Sequence, residues 1–367
     1  MVTRRIAPGW LVGCVVLVLL ILLPPVVGSS QLALPTEVFI FGAFALTYDL
    51  MFGFTGLISF GQALFIGVGA YAIASGLTSH GVPFWPALLI VVVTGILISL
   101  LTGILALRTR GVYFAMVTLA FAQAAFTLAE SDVGNLTNGD NGLSVSGAPE
   151  WLVGTTSQTH FYYVALAFLV ASFLLLRIFV YSPTGRVWQA IRENERRALM
   201  IGYHPFQFKL LAYVISGTLC TLAGALYALY IGAVSPSLFG ADTTIQLLLM
   251  VIIGGAGSLW GAMVGAAIVR YLDHYLNVLS TSSFVASLPG WMHQTLGQPL
   301  LIFGVIYLLL IYFFPEGIAG LVRRQWKVGP PSSPVPGLAE VEPSAEVPVI
   351  AETGPDSAPA QTPGGSR

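Results

Sequence analysis

The residues able to do chemistry in this chain are the few polar groups set inside long apolar runs. Asp49 follows Tyr48 at the end of one run. A carboxylate at membrane depth marks a substrate or ion pathway by default, whereas one at a helix terminus is structural; the residue alone leaves both readings open. Gln62, Thr118, Gln123 and Gln246 are either the lining of a polar path or hydrogen-bonding glue between helices. Ser59 and Ser258 each lie in a glycine-rich interruption and join the candidate path. The histidines (His80, His160, His204, His274 and His293) fall in loops or at span ends without HExxH spacing, so no metal site is expected. Cys14 and Cys220 sit in apolar runs without a CxxC and read as small buried hydrophobes. No GxxxxGK[ST] phosphate loop occurs and no nucleophile stands beside a base, so no catalytic activity and no cofactor is expected of this chain. No buried Lys or Arg is expected to pair with an acid, which weighs against a proton-relay transporter.

The elements that hold these residues are membrane spans. Hydrophobic residues make up 56% of the 367, charged residues 8%, and the mean hydropathy is +0.84. A water-facing surface needs about 25% charge. The composition therefore excludes a soluble enzyme, a nucleic-acid binder and a secreted disulfide module. The expected fold is an all-α integral membrane protein, a polytopic helical bundle. About 20 apolar residues cross a bilayer as helix. Runs of that kind cover residues 10–27, 37–52, 59–77, 84–107, 112–129, 161–181, 208–234 and 300–322. The stretch 243–277 is interrupted by Gly254, Gly255 and Gly257 and reads as two short segments. The total is about ten spans, or eight if the short segments are re-entrant.

Basic residues orient the bundle. Arg4 and Arg5, Arg108 and Arg110, the group Arg186 to Lys209, and Arg323, Arg324 and Lys327 all fall on one side of a ten-span protein whose N and C termini are cytoplasmic. The outer loop, 130–160, has acidic residues and no Lys or Arg. Arg270 is the one outlier, near an outer end where its stem could snorkel. The first span reads as uncleaved; a cleaved signal sequence gives the same parity for the rest. Residues 1–327 form the membrane domain. Residues 328–367 hold nine of the 22 prolines, five acids and no aromatic residue. That tail is expected to be a disordered cytoplasmic segment.

Glycine interrupts the runs twice. Gly53, Gly56 and Gly61 form one break, and Gly254, Gly255, Gly257 and Gly261 the other. Broken helices at membrane depth survive only where protein or water satisfies the released backbone groups. Paired breaks in two halves point to a transporter's binding region, and two halves of five spans have the arithmetic of an inverted repeat. Close packing through small residues is the competing reading.

The longest basic loop, 182–207, predicts short amphipathic helices, with Ser182 and Thr184 as caps, Pro183 in a first turn and Gly202 as a stop. Such a helix either docks a soluble partner or lies on lipid headgroups.

That loop, continued through Phe208-Lys209-Leu210-Leu211-Ala212-Tyr213 to Ala223-Gly224-Ala225, resembles the permeases of ABC importers for branched-chain amino acids, most of all the LivM-type subunit. The stretch Asp49 to Tyr71, the segment Leu107-Arg108-Thr109-Arg110-Gly111-Val112-Tyr113 and the late Gly254-Gly255-Ala256-Gly257-Ser258 carry the same resemblance, which runs from about Phe41 to Leu321. Glu316 departs from it, standing where a basic residue is expected, and the tail is not a recognised part of the pattern. The resemblance implies one permease of a heteromeric importer in a bacterial inner membrane. Its partners would be a second, LivH-type permease, two ATPase subunits and an external substrate-binding protein. It implies that 185–202 is the ATPase-coupling segment. Arg186, Arg192, Glu193, Asn194 and Arg197 would be its polar contacts, Ala190 and Ala198 would permit close approach, and Gly185 and Gly202 would bound it. Leucine, isoleucine and valine are the implied substrates. Urea or another small polar solute is the alternative within the same machine, and an autonomous secondary transporter using Asp49 is the alternative outside it.

Overall fold

A computed structural model describes residues 8–25, 28, 31–132, 137–149, 152, 158–280, 304 and 317–320. The N-terminal arginine pair, nearly all of the span expected at 300–322, Glu316 and the tail lie outside the described residues. Among those described, eleven α-helices carry the architecture. They are α1 (Pro8–Leu22), α2 (Ala33–Asp49), α3 (Gln62–Ala74), α4 (Phe84–Ala106), α5 (Val112–Glu130), α6 (Gln158–Tyr181), α7 (Pro183–Glu193), α8 (Glu195–Met200), α9 (Pro205–Ile231), α10 (Ala241–Gly254) and α11 (Leu259–Ser280). Wider π-type turns extend α2 through Leu50–Phe54 and α3 through Ser75–Ser79. Six of the helices are long and apolar enough to cross a membrane, or seven if the bent α10–α11 pair counts as one.

Burial separates centre from periphery. The most apolar window of α2 is 83% buried and that of α3 72%, against 28% for both α4 and α5. The central helices are apolar all round, as a helix enclosed by other helices must be. The α4 face presents Trp85, Leu89, Val93, Leu97 and Leu101 outward. Helices α3 and α9 approach closely because glycines line their contact. A Cβ on Gly69 would stand 1.8 Å from the Thr221 carbonyl oxygen, and one on Gly224 2.3 Å from that of Ile66. Without a hydrophobic drive between helices in lipid, such close backbone contact is a main source of association.

The connections gather at two ends. At one end lie the α2–α3 break, the α4–α5 turn, α7 with α8, and the α10–α11 break. At the other, Leu143–Ser144 pairs antiparallel with Ala233–Val234, and the Thr78 hydroxyl donates to the Ser144 carbonyl at 2.9 Å. The 130–160 loop begins there with Asp132, whose carboxylate accepts the backbone N–H groups of Thr137 and Asn138, both at 2.9 Å. The Thr137 bond first of all holds that carboxyl below its ordinary value.

Three expectations are corrected. Cys14 is exposed rather than buried, unlike Cys220. The stretch 243–277 is not two short segments: α11 runs a full 22 residues and only α10, at 14, is short. The cause is the placing of the glycines. Gly255 (φ 101°) and Gly257 (φ 80°) end α10 in left-handed backbone, and the Ser258 hydroxyl accepts the Gly261 N–H to start α11, giving a 119° bend. The expectation that no buried Lys or Arg pairs with an acid must also be narrowed, because the half-buried Arg270 does. Arg270, far from snorkelling outward alone, bonds Glu37 of α2 and lies 3.1 Å from Asp273, with its guanidinium 4.1 Å from the centre of the Phe41 ring.

Gly69→Ala is expected to lower the melting temperature in detergent, with a loss of roughly 1–3 kcal/mol from overpacking. Gly13→Ala, where a Cβ meets nothing within 4 Å, is expected to cause no loss. Thermal unfolding followed by tryptophan fluorescence checks both.

Candidate functional site

The candidate site assembles where α2 ends. Asp49 is its last residue and is fully buried. One carboxylate oxygen accepts the backbone N–H of Gly257 at 2.7 Å. That N–H lies in the turn between α10 and α11, outside the hydrogen-bond ladder of either helix. Gly53 follows Asp49 by one turn. A Cβ there would fall 2.0 Å from the Asp49 oxygen and 2.2 Å from the Gly257 nitrogen. Only glycine lets the carboxylate cross from one break to the other.

The first break is closed by side chains from several elements. The Tyr48 hydroxyl donates to the Ser59 carbonyl at 3.0 Å, and the Phe60 N–H donates to the Thr118 hydroxyl of α5 at 3.1 Å. Gly61 donates to the Ser59 hydroxyl at 3.2 Å and sits so close to α5 that a Cβ would lie 2.7 Å from the Thr118 carbonyl. One turn on, the Gln62 amide donates to the hydroxyls of Thr47 and Ser216 at 3.2 and 3.1 Å, and the Ala63 N–H donates to the Thr244 hydroxyl at 3.0 Å.

The segment 182–207 packs against this end. Ser182 caps α7 through the Gly185 N–H, with Pro183 in the first turn and Gly202 (φ 98°) following α8, as expected, whereas Thr184, the other expected cap, lies inside the first turn. Gly185 is pressed to the end of α6: a Cβ would stand 2.0 Å from the Val180 carbonyl. Trp188 is fully buried and donates its indole N–H to the Phe208 carbonyl at 2.8 Å. Lys209 and Glu195 pair at 2.8 Å. These two contacts fasten α7 and α8 to the first turns of α9. Arg192 turns the other way. Its guanidinium donates to the Gly53 carbonyl, its Cγ lies 3.0 Å from where a Cβ on Gly56 would be, and its Nη1 lies 3.1 Å from the same point on Gly257. A cleft of about 300 Å³ opens beside it, lined by Gly56, Thr109, Arg110, Glu193 and Lys209 among others.

The expected coupling residues thus divide. Arg186, Ala190, Glu193, Asn194, Arg197 and Gly202 are exposed. Arg192 is open on the side of the cleft while its guanidinium contacts the breaks. Gly185 and Ala198 are buried within the chain, Ala198 beside Val187, Ile191 and Phe208, so Ala198 has no open surface to offer a partner, contrary to expectation. Asn194 also caps α8, accepting the Arg197 N–H at 3.0 Å. Of the expected path residues, Asp49, Ser59, Gln62, Thr118 and Ser258 are buried and hydrogen-bonded at or beside the two breaks. Gln123 stands apart on the exposed face of α5. The glycines Gly254 and Gly261 face each other across the second break, each within 2.4 Å of the other's carbonyl oxygen if given a Cβ. Thr47, Ser216 and Thr244 are partners that the sequence reading missed, since lone hydroxyls in apolar runs carry no spacing signal. Leu199, Met200 and Ile201 form an apolar exposed edge beside the expected coupling residues.

The chain matches the model of the family described as "Branched-chain amino acid transport system / permease component" over residues 31–314. It belongs to that family. This permease is a multi-pass membrane protein and, like its relatives, a transport component. It is 28% identical over 336 residues to the high-affinity branched-chain amino acid transport system permease protein LivM of Escherichia coli K12, covering 85% of this chain and 75% of that protein. It is 26% identical over 168 residues to the permease protein LivH of Salmonella typhimurium, covering 41% of this chain and 53% of that protein. It is also 25% identical over 224 residues to the ribose import permease protein RbsC of Haemophilus influenzae, covering 58% and 67% respectively. No solved structure matches it.

Gly53→Ala is expected to force the two breaks apart. The purified protein should then show earlier proteolysis near residues 53–61 and 255–258 than the wild type, and limited trypsin or chymotrypsin digestion with mass mapping checks it.

Proposed function

We propose that this chain is the LivM-type permease of an ATP-driven importer that moves leucine, isoleucine and valine inward across a bacterial cytoplasmic membrane. The observation that carries this reading is the two-sided α7–α8 segment. It is fastened to the bundle through Trp188 and Lys209, and it presents Arg186, Ala190, Glu193 and Arg197 outward beside the apolar Leu199, Met200 and Ile201. A rigid surface that sets Glu193 and Asn194 among its arginines suits a soluble protein better than an anionic headgroup layer, which favours basic and apolar residues. The partner on that surface is an ATPase subunit, which supplies the hydrolysis. A second permease of LivH type and an external binding protein complete the machine, and specificity rests largely with the binding protein. The bundle has ten spans with both termini on the side of α7 and α8.

The substrate path runs beside α5, between the two permeases. The exposed face of α5 carries Gln123 and Thr127 with the small Ala120 and Ala124, where the exposed face of α4 carries large apolar residues only. A glutamine facing lipid is costly, whereas one facing a partner or a watered path is not. Asp49, Ser59, Gln62, Thr118 and Ser258 serve this path from behind, by fixing the two breaks at its inner end. The likeness to a ribose permease keeps a second reading in view: the same machine with another small polar solute as cargo.

Mild detergent purification of the tagged chain should recover a second permease and an ATPase in stoichiometric amounts. Vesicle uptake should follow leucine, isoleucine and valine ahead of urea or ribose. Arg186→Glu with Arg197→Glu should reduce ATPase recovery at least tenfold while membrane yield stays normal. A chain that purifies alone overturns the importer reading. Uptake of ribose or urea in preference to the amino acids overturns the substrate.

A further inference from the structure

Most coupling segments are thought of by what they present to the partner. In α7, one residue reaches the opposite way. On a helix of 3.6 residues per turn, Gly185, Trp188 and Arg192 share one face at positions i, i+3 and i+7, while Arg186, Ala190 and Glu193 share the other at i, i+4 and i+7. Gly185 and Trp188 are buried and Arg186, Ala190 and Glu193 exposed, in agreement with that division; Arg192, itself exposed, stands at the rim between the two faces and is placed by its contacts. Arg192 therefore stands on the face turned to the bundle, at its open edge beside the cleft, and its contacts are with both glycine breaks. The guanidinium donates to Gly53 of the first break. The stem lies along Gly56, and Nη1 lies against Gly257 of the second break. Gly257 is in turn bound by Asp49, four residues before Gly53. The arrangement is a closed loop of contacts: α7 to the first break, the first break to the second, and the second back to α7.

We propose that Arg192 is a positioning residue that latches the coupling helix onto both breaks at once, so that displacement of α7 is carried into the α2–α3 and α10–α11 bends together. The proposal rests on the importer reading for its role in transport, while the latch itself belongs to this chain alone. Three features equip Arg192 for the task. Its long stem spans from α7 to the break without moving either backbone. Its planar fork offers several donors to carbonyls that a broken helix leaves open. The absence of side chains on Gly56 and Gly257 leaves room for its stem and its Nη1 beside the main chain. A residue serving only to hold the ATPase would stand with Arg186 and Glu193 on the outer face. Displacing α7 with the latch engaged must move both breaks, whereas displacing it with the latch absent moves α7 alone.

The test has two arms on the full-length chain. In the first, hydrogen exchange by mass spectrometry is measured on the purified permease without any partner. Arg192→Ala should speed exchange at residues 53–61 and 254–261 at least fivefold. Arg192→Lys, which keeps a stem and a donor, should fall between it and wild type, and Gln189→Ala on the exposed face should match wild type. In the second, the complex with its ATPase is placed in liposomes. Arg192→Ala should retain the ATPase and hydrolyse ATP within twofold of wild type, while substrate moved per ATP falls tenfold or more. Unchanged exchange at both breaks overturns the latch, as does faster exchange spread over the whole chain, which would mark a general structural role. Loss of the ATPase from the variant complex overturns it in favour of a docking contact, and unchanged transport per ATP overturns the transmission. If wild type itself recovers no ATPase, the importer reading fails, and the exchange arm still decides the latch.

Discussion

Backbone groups released by a broken helix must find partners inside the protein, and the rest of this fold is arranged around meeting that need. An unsatisfied N–H or C=O away from water costs several kcal/mol, and two breaks release several of each. The solution is reciprocal. The carboxylate that ends α2 binds the N–H of Gly257 in the second break, and Thr118 of α5 binds the Phe60 N–H in the first. Because one break's partner is attached to the other break, neither can relax independently. The glycine at 53 follows from the same constraint, since any side chain there occupies the space where the bond is made.

Helix α9 links this arrangement to the surface. Its first turns receive Trp188 and Glu195 from the α7–α8 segment. Two turns further on, Ser216 receives the Gln62 amide and donates to the Thr47 carbonyl at 2.7 Å. Beyond that, Thr221 and Gly224 press against α3 without an intervening side chain. A single long helix thus ties the segment 182–207 to the start of α3 and the end of α2. Rigidity along it is what allows an event at the exposed end to be felt at the breaks.

The parts of this structure legible in the sequence are those governed by local physics. The expected spans 84–107 and 112–129 became α4 (Phe84–Ala106) and α5 (Val112–Glu130) within a residue at each end. Bilayer length and flanking turn residues are strong local signals. The start of α7 and the stop after α8 were equally legible, since Ser182, Pro183 and Gly202 act on their own neighbours. What stayed hidden was rotation about each helix axis. A helix apolar all round carries no stripe to say which face meets which neighbour, so Glu37 with Arg270, 233 residues apart, and Gln62 with Ser216, 154 apart, could not be paired in advance. The same blindness made Asp49 ambiguous. Its type marked it as important, but only the fold shows that its partner is a main-chain N–H in the other break.

Helix α7 is the exception that explains the rule. Being charged on one side and apolar on the other, it does encode its rotation, and the period of 3.6 separates Arg192 from Arg186 and Glu193 by residue spacing alone. Grouping all the charged residues of the loop as partner contacts overlooked that period. Once it is respected, the segment divides into an outer face whose side chains are open to a soluble protein and an inner face of Gly185, Trp188, Ile191 and Arg192 set against the bundle. A helix of eleven residues has room for three turns, enough for one open face and one face set against the bundle. A force applied to the outer side chains can therefore reach the inner ones with no unfolding between, because the two faces share one hydrogen-bonded backbone.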